Sequence, residues 1–591
     1  MKSNPESLET GYRSASGRGR GRLKVHLGLA LGAVVVLATA PRLGAQAGGV
    51  EPVSVVEATV AELQAALTQG RTTSRELVLM YLTRIATFED RLNAVITVNP
   101  RALAVADSLD RERAVGHVRG PLHGIPVALK DNIHTVDLPT TGGALAFEGL
   151  TPPYDATLTE NLRDAGAIIL AKTTMTELAN WVTAGMPGNY SALGGYGMNP
   201  YDPRRDPRPE TGDGRPVLST GGSSSGVGTA ASFWAANVGT ETSGSILSPA
   251  NATMLVGIKP TVGRISRWGV IPITADQDTP GPMARTVGDA ALVLGVLESG
   301  EPDPNDPATG RCPVPPGGDY TAFLDPGALR GARIGVPRAY YYDPLIGPDT
   351  VSLGGLSADR KRVIDEAITV LRAQGAVIVD PADIPSVVTS DRDRNILLWP
   401  ICADLDDGRG LDDDCSIVLK YGMKRDFERW LLTLGERAPV RTLLELREWN
   451  EAHAHLGAIK YGQARLDISD EIDVERDRMR YEIDRARDIE LAGLGGIDEV
   501  MESERLDALL FPGSSNAALS AKPGYPAVTV PFGRVDNPAA ATLPEGFDPP
   551  PAPFGVSFAG RACDEPRLIA LAYAFEQATL ARVATAFELP R

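Results

Sequence analysis

Residues 219–250, STGGSSSGVGTAASFWAANVGTETSGSILSPA, are the most unusual stretch of this sequence. Their first ten positions hold four Gly and three consecutive Ser, which bury little surface and lose much backbone entropy on ordering. A second turn rich in Gly, Ser and Thr follows at 239–246, and the alanine-rich segment 227–237 between them predicts a helix. Two turns that expose hydroxyls and backbone N–H groups therefore bracket one short predicted helix, which indicates a reactive site better than a core.

Helical and strand-like patterns alternate before this stretch. The apolar run GIPVAL at 124–129 follows a Pro/Gly turn and predicts a buried strand that delivers Lys130. Residues 157–165 predict a helix, residues 167–170 predict a strand, and the capping box Thr73-x-x-Glu76 opens another predicted helix. This alternation is typical of an α/β fold.

Two kinds of activated serine are compatible with the stretch 219–250. GSSSG at 222–226 has the G-x-S-x-G form of a nucleophile elbow, but only a weak strand precedes it. The downstream histidines, His453 and His455, lie in a predicted helix and point to different faces, which disfavours a Ser-His-Asp triad and a shared metal.

A buried lysine is an alternative base, because burial disfavours the charged ammonium. From position alone, Lys130 fits an ion pair with Asp131 better.

Seven motifs together resemble the amidase signature family. They are GIPVALKDN (124–132), GGSSSG (221–226), GTETSGSI (239–246), GIKPTVG (257–263), PGPMAR (280–285), YPAVTVP (525–531) and GVSF (555–558). They occur in family order across roughly residues 55–585, which makes the joint resemblance specific. It implies the amidase signature fold, a single large α/β domain with a central, mixed, twisted sheet covered by helices on both faces.

The resemblance also implies a mechanism. Ser245 would be the acyl nucleophile, Ser223, which lies on a cis peptide bond in that family, would relay the proton, and neutral Lys130 would be the base. The backbone N–H groups implied for the oxyanion hole are those of Thr242, Ser243, Gly244 and Ser245. The residues implied in substrate binding are Gly221, Gly222 and Ser224. The implied reaction is hydrolysis of a linear amide C–N bond through an acyl-enzyme, with no metal and no cofactor.

The amidase domain is expected to span residues 48–591, with its signature core at about 120–290. A variable, largely helical region at about 310–505 is expected to wall a substrate funnel, as in such enzymes. Within it, WNEAH (449–453) and YGQ (461–463) are similar to bacterial amidases and peptide amidases, although helix packing is the simpler explanation of these residues. The charged run 471–487 is interpreted as a solvated helix face with i,i+4 ion pairs.

Composition and charge exclude several classes. The 591 residues are 43% hydrophobic and 23% charged, close to globular averages, so disorder and coiled coil are poor interpretations. The formal net charge of −17 argues against a nucleic-acid or anionic-membrane surface, because both need clustered Lys and Arg. The first 47 residues carry seven basic and two acidic side chains, a net of +5, which leaves −22 for the remainder.

The amino terminus predicts a secretory signal peptide over residues 1–47. A basic segment at 13–24 precedes the uncharged run LGLALGAVVVLATA at 27–40, which is short for a membrane span of about 20 residues. The small-x-small pattern AQA follows, so cleavage is expected near Ala45 or Ala47. An uncleaved anchor is the alternative. We expect an exported protein, periplasmic or extracellular, without stable membrane insertion after cleavage.

The four cysteines lack zinc-site spacing. An oxidising compartment permits disulfides, and Cys402 and Cys415, which flank an acidic loop, are predicted to bridge. Pairing of Cys312 with Cys563 is left open. The loop's six aspartates miss the order of a calcium-binding loop and indicate a solvated loop.

The expected partner is a small-molecule or peptide amide, with no nucleic acid, and the chain is expected to be a monomer or homodimer. One alternative is the glutaminase-type subunit of a tRNA-dependent amidotransferase, which the signal peptide disfavours. The other is a catalytically silent, exported ligand-binding protein, which the intact Lys130, Ser223 and Ser245 disfavour.

Overall fold

A mixed sheet of eleven strands is the centre of the fold in the computed structural model of this protein, which describes residues 52–347, 351–403, 410 and 412–587. The predicted signal peptide lies outside these residues, as do Asp404, Asp406 and Asp407 of the acidic loop. The strands are β1 Val95–Val98, β2 Pro126–Lys130, β3 Ile168–Thr173, β4 Tyr190–Ser191, β5 Gly195–Tyr196, β6 Ala236–Glu241, β7 Val256–Lys259, β8 Thr279–Ala284, β9 Arg333–Gly335, β10 Leu345–Ile346, β11 Ser352–Leu353, β12 Val377–Val379, β13 Ala508–Pro512, β14 Ala527–Val535 and β15 Ala552–Ala559.

The large sheet has the order β1-β3-β2-β6-β8-β7-β14-β15-β13-β9-β12, and two short hairpins, β4-β5 and β10-β11, stand apart from it. Strand β2 runs parallel to both of its neighbours, β3 and β6, whereas β6 and β8 are antiparallel. The mixed α/β sheet of the predicted fold is thereby confirmed. Because β2 and β6 are parallel neighbours, their carboxyl ends meet at one edge of the sheet.

Helices flank the sheet, and the described residues after Glu51 form a single domain. They are α1 Val60–Thr68, α2 Ser74–Leu92, α3 Ala102–Ala114, α4 Thr157–Asp164, α5 Val227–Ala230, α6 Leu247–Ala252, α7 Val287–Leu297, α8 Ala358–Ala373, α9 Pro385–Val388, α10 Val418–Thr433, α11 Leu443–Ala452, α12 Ala464–Asp470, α13 Arg478–Ile489, α14 Glu499–Ser503, α15 Ala517–Ala521 and α16 Glu565–Thr579. The capping box that opens α2 is confirmed, since Thr73 and Glu76 bond each other's backbone N–H. Among the described helices, none combines the length and apolarity that a bilayer span requires.

The helix predicted over 227–237 is wrong beyond its first turn. Helix α5 ends at Ala230, Ser232 has a φ of 55°, and β6 already begins at Ala236. A Cβ on Gly228 would come within 2.1 Å of the Trp234 ring, which folds back over α5. Pairing of β6 with β2 and β8 thus outweighs the helix propensity of the alanines.

The histidine prediction is also corrected. Helix α11 ends at Ala452, so His453 and His455 lie in a tight turn and not in a continuous helix. Their ring centroids are 6.2 Å apart, and His453 stacks on Trp449 at 3.8 Å. The two rings lie on the same side of the turn because α11, with its period of about 3.6 residues, ends at Ala452.

The charged run 471–487 is only partly a solvated face. Arg480 and Asp484 form the expected i,i+4 pair on α13, but Asp484 and Asp488 are buried. Asp488 accepts hydrogen bonds from Trp399 Nε1 at 2.9 Å and Ser416 Oγ at 2.8 Å. Helix α13 therefore uses carboxylates as well as apolar groups to pack on its neighbours.

Two disulfides are present among the described residues. Cys402–Cys415 confirms the predicted bridge and spans 13 residues, whereas Cys312–Cys563 spans 251 residues and joins two distant parts of the domain. A covalent link restricts the unfolded chain more strongly when the closed loop is longer. The longer bridge should therefore contribute more to stability.

We expect the Cys312→Ser/Cys563→Ser double variant to unfold at a lower temperature than Cys402→Ser/Cys415→Ser. Loop-closure entropy gives a loss of about 5 kcal/mol for the longer loop and about 3 kcal/mol for the shorter one. Thermal unfolding of both variants and of the parent, followed by circular dichroism, measures the order. An equal or reversed order would contradict the expectation.

Candidate active site

Lys130 is the last residue of β2 and is completely buried. Its Nζ donates to Thr240 Oγ1 at 2.8 Å and to the Thr240 carbonyl at 3.2 Å, on the neighbouring strand β6. Asn132 Nδ2 donates to the same hydroxyl at 3.0 Å. The ion pair between Lys130 and Asp131 that position alone suggested is not formed. Asp131 instead faces Lys172, and its carboxylate oxygen lies 3.5 Å from Lys172 Nζ.

Burial lowers the pKa of Lys130 from 10.5 to about 7, and the nearby carboxylates of Asp278 and Glu241 oppose that shift. Burial likewise raises the pKa of Asp278 to about 6, against hydrogen bonds from Thr242 Oγ1 and two backbone N–H groups. A lysine with a pKa near neutrality can accept and return a proton at physiological pH.

Ser245 lies in the turn between β6 and α6 and is 9% exposed. Glu241, at the end of β6, accepts hydrogen bonds from the backbone N–H of Ile246 at 2.7 Å and of Leu247 at 2.9 Å. This carboxylate satisfies the first N–H groups of α6 and fixes the turn that carries Ser245. The same charge opposes the fall in the pKa of Lys130, so Glu241 acts on both residues.

The turn also leaves backbone donors available. Within the part of the chain that the structure describes, no hydrogen bond uses the N–H of Thr242, Ser243, Gly244 or Ser245 as donor. Gly244 has a φ of 100°, which a side chain rarely adopts, and Ser243 is exposed. The four N–H groups assigned to an oxyanion hole are thus unpaired beside the serine.

Ser223 differs from the expectation. Among the described residues the cis peptide bond is Asp380–Pro381, so both peptide bonds of Ser223 are trans, the form that a non-prolyl bond favours by about 3–4 kcal/mol. The Ser223 hydroxyl is buried without a hydrogen-bond partner among those residues. The structure therefore brings Ser223 into the site but does not bond it to Lys130 or Ser245.

The residues implied in substrate binding fall in two environments. Gly221 and Gly222 are partly exposed, and a Cβ on Gly222 would come within 3.1 Å of Ser245 Cα. Ser224 is fully buried, where its Oγ donates to the Thr240 carbonyl at 3.0 Å and its N–H donates to the Ser245 carbonyl at 3.1 Å. Ser224 thus links the turn at 221–226 to β6 and to the Ser245 turn through buried hydrogen bonds.

Three site residues were not anticipated from the sequence: Thr240, Glu241 and Asp278. Thr240 and Glu241 lie within the quoted GTETSGSI motif, and a parallel alignment of β2 with β6 would have placed Thr240 beside Lys130. Asp278 directly precedes β8 and reaches Thr242 through the β6–β8 pairing. That contact follows from the adjacency of β6 and β8 in the sheet, which could not be predicted from the sequence.

Comparison with known proteins identifies the family of this chain. The sequence model of the family described as Amidase matches residues 76–406. A probable amidase of Arabidopsis thaliana is 33% identical over 537 residues, which cover 90% of this chain and 91% of the relative. A glutamyl-tRNA(Gln) amidotransferase component of Geobacter sulfurreducens is 39% identical over 327 residues, but the match covers only 55% of this chain and 60% of the relative.

Among solved structures, native peptide amidase from Stenotrophomonas maltophilia superposes with a TM-score of 0.74 at 38% identity, over 90% of this chain and 99% of that chain. The sequence thus matches over nearly the whole length of both amidases, and the fold matches over nearly the whole length of the peptide amidase. The chain belongs to the amidase family and has the amidase signature fold.

Proposed function

We propose that this protein is an exported amidase that hydrolyses a carboxamide to a carboxylate and ammonia or an amine. The observation that carries the proposal is the buried Lys130, with a pKa of about 7, at the sheet edge where the Ser245 turn begins. A lysine of that pKa beside a serine turn that is buried except at Ser243 and has unpaired N–H groups fits acyl transfer.

In the proposed reaction, Lys130 takes the proton of Ser223 while Ser223 takes that of Ser245, whose Oγ attacks the amide carbon. The oxyanion accepts hydrogen bonds from the unpaired N–H groups of the turn. When the C–N bond breaks, the proton returns to the leaving nitrogen, and water then hydrolyses the acyl-enzyme to release the carboxylate. This relay needs the Ser223 hydroxyl, which is unpartnered here, to reach both neighbours.

The substrate class that we favour is a peptide C-terminal amide or a small carboxamide. It is supported by 38% identity to peptide amidase over 90% of the chain, against partial coverage for the amidotransferase component. Export is supported by the leader sequence and by two disulfides, which are rare in reducing compartments. A screen of peptide amides, aliphatic amides, acyl anilides and glutamine, measured by ammonia or amine release, tests the class, and glutamine hydrolysis alone would favour the glutaminase alternative.

Three single variants test the assigned roles. We expect Ser245→Ala and Lys130→Met to lose nearly all turnover, and Ser223→Ala to lose most of it, because each breaks one step of the proton relay. Loss of a nucleophile or base costs at least about 10³-fold in kcat. Ser248→Ala, which changes a neighbouring hydroxyl outside the relay, is the matched control and should keep parental kcat.

A fluorophosphonate probe gives a second measurement on the same proteins. It should label Ser245 in the parent and in Ser248→Ala, and it should not label Ser245→Ala. Parental turnover in Ser245→Ala would refute the assignment, and an unlabelled, inactive parent would favour the silent ligand-binding alternative.

The pH dependence follows from Lys130. Its amine must be neutral to accept a proton, so activity is present above a pKa of about 7 and is lost as pH falls through it. We expect kcat/KM to rise about tenfold per pH unit below 7 and to level off above it. If kcat/KM instead rose with a midpoint near 10.5, the ordinary pKa of lysine, the profile would contradict a desolvated lysine base.

A further inference from the structure

A cavity of about 580 Å³ is lined in part by residues 215–219 and 512–515. Its wall includes Ser219, four residues before Ser223, and Asn251 and Ala252 at the carboxyl-terminal end of α6. Lys130, Ser223 and Ser245 do not line it. The cavity is within the size range of small-molecule sites, about 300–1,000 Å³, and is separate from the proposed amidase site.

The wall of this cavity is mainly apolar. Val217, Leu218, Leu356, Val535 and Phe554 all contribute to it, and exposed Ser219 and Ser515 stand on its rim. An apolar ligand body would gain about 25 cal/mol for each Å² of its surface that leaves water here.

Arg360, in the first turn of α8, is the cation of this wall that has no carboxylate partner among the described residues. Its guanidinium carbon lies 5.6 Å from the Phe554 ring centroid. Arg215, in contrast, is held by Asp213 at 2.6 Å. The neighbouring Asp359 is already engaged by Ser357 Oγ and by the N–H of Asp536.

A second donor in the wall is the side-chain amide of Asn251. Asn251 Oδ1 accepts a hydrogen bond from the Gly555 N–H at 2.7 Å, so its Nδ2 is the group left to bond a ligand. The one carboxylate of the wall, Asp206, is neutralised by Arg208 at 2.6 Å. An apolar cavity with an arginine fork that no carboxylate pairs, an amide N–H in its wall and hydroxyls on its rim favours an anion with an apolar body.

We propose that this cavity is a binding site for an organic monocarboxylate with an apolar body. The carboxylate pairs with the Arg360 guanidinium and Asn251 Nδ2, and the body packs on Phe554 and its apolar neighbours. A planar guanidinium fork matches a carboxylate in two-point geometry, which a lone lysine at this position would not provide.

Isothermal titration calorimetry of the full protein carrying Ser245→Ala, with 4-phenylbutyrate as probe, tests this site without turnover. We expect saturable one-to-one binding and none with the neutral 4-phenylbutan-1-ol at the same concentrations. Arg360→Gln should weaken binding about 10-fold to 100-fold, the range for a charged hydrogen bond. Lys361→Gln, on the next residue of the same helix, is the matched control and should bind as the parent does.

A second pair of variants tests the cavity itself. Ala539→Trp places a large ring in the wall and should abolish binding, whereas Ala541→Trp, on the same loop but outside the wall, should not. Absence of saturable binding to the parent would overturn the proposal. So would 4-phenylbutyrate binding that is unaffected by Arg360→Gln, because the carboxylate would then lie elsewhere, including at the catalytic turn.

Discussion

The burial of the Lys130 amine at the end of β2 is the constraint on which the active site depends. A buried ammonium loses its hydration, and this lowers its pKa to about 7. Asp278 and Glu241 keep that shift from going further, and both also accept hydrogen bonds from the loops around Ser245. The two carboxylates that oppose the fall in the pKa of Lys130 thus also hold the loops around Ser245.

Close backbone approach explains why glycine concentrates in these turns. A Cβ on Gly239 would come within 2.7 Å of Ser224 Oγ, and one on Gly222 would come within 3.0 Å of the Gly244 carbonyl. Gly244 adds a positive φ beside the nucleophile. Ordering these glycines costs backbone entropy. That cost is offset by the close packing of the two serine-bearing turns against each other and against β6.

Sequence motifs located most of this site, and local patterns located its strands. The run before Lys130 predicted β2, and the position of Cys402 and Cys415 on either side of an acidic loop predicted their bridge. Predictions failed where contacts between distant parts of the chain determine the local structure. Sheet pairing shortened the alanine-rich helix, and the peptide bonds of Ser223 are trans although the family resemblance implied a cis bond. Asp278 could not be found because its role follows from the order of β6 and β8.

Hydrogen bonds and ion pairs join α13 to the loop that carries Asp278. Arg485 on α13 donates to the carbonyl of Lys522, which follows α15, and to the carbonyl of Asp276, two residues before the Asp278 that bonds Thr242. Asp276 also accepts from Tyr481 at 2.9 Å and Arg425 at 3.1 Å. Removal of one partner from such a partly buried cluster leaves an uncompensated charge, whereas truncation of an apolar side chain on a surface helix costs less. Substitutions on α13 can therefore disturb the loop at Asp276 without contacting Ser245.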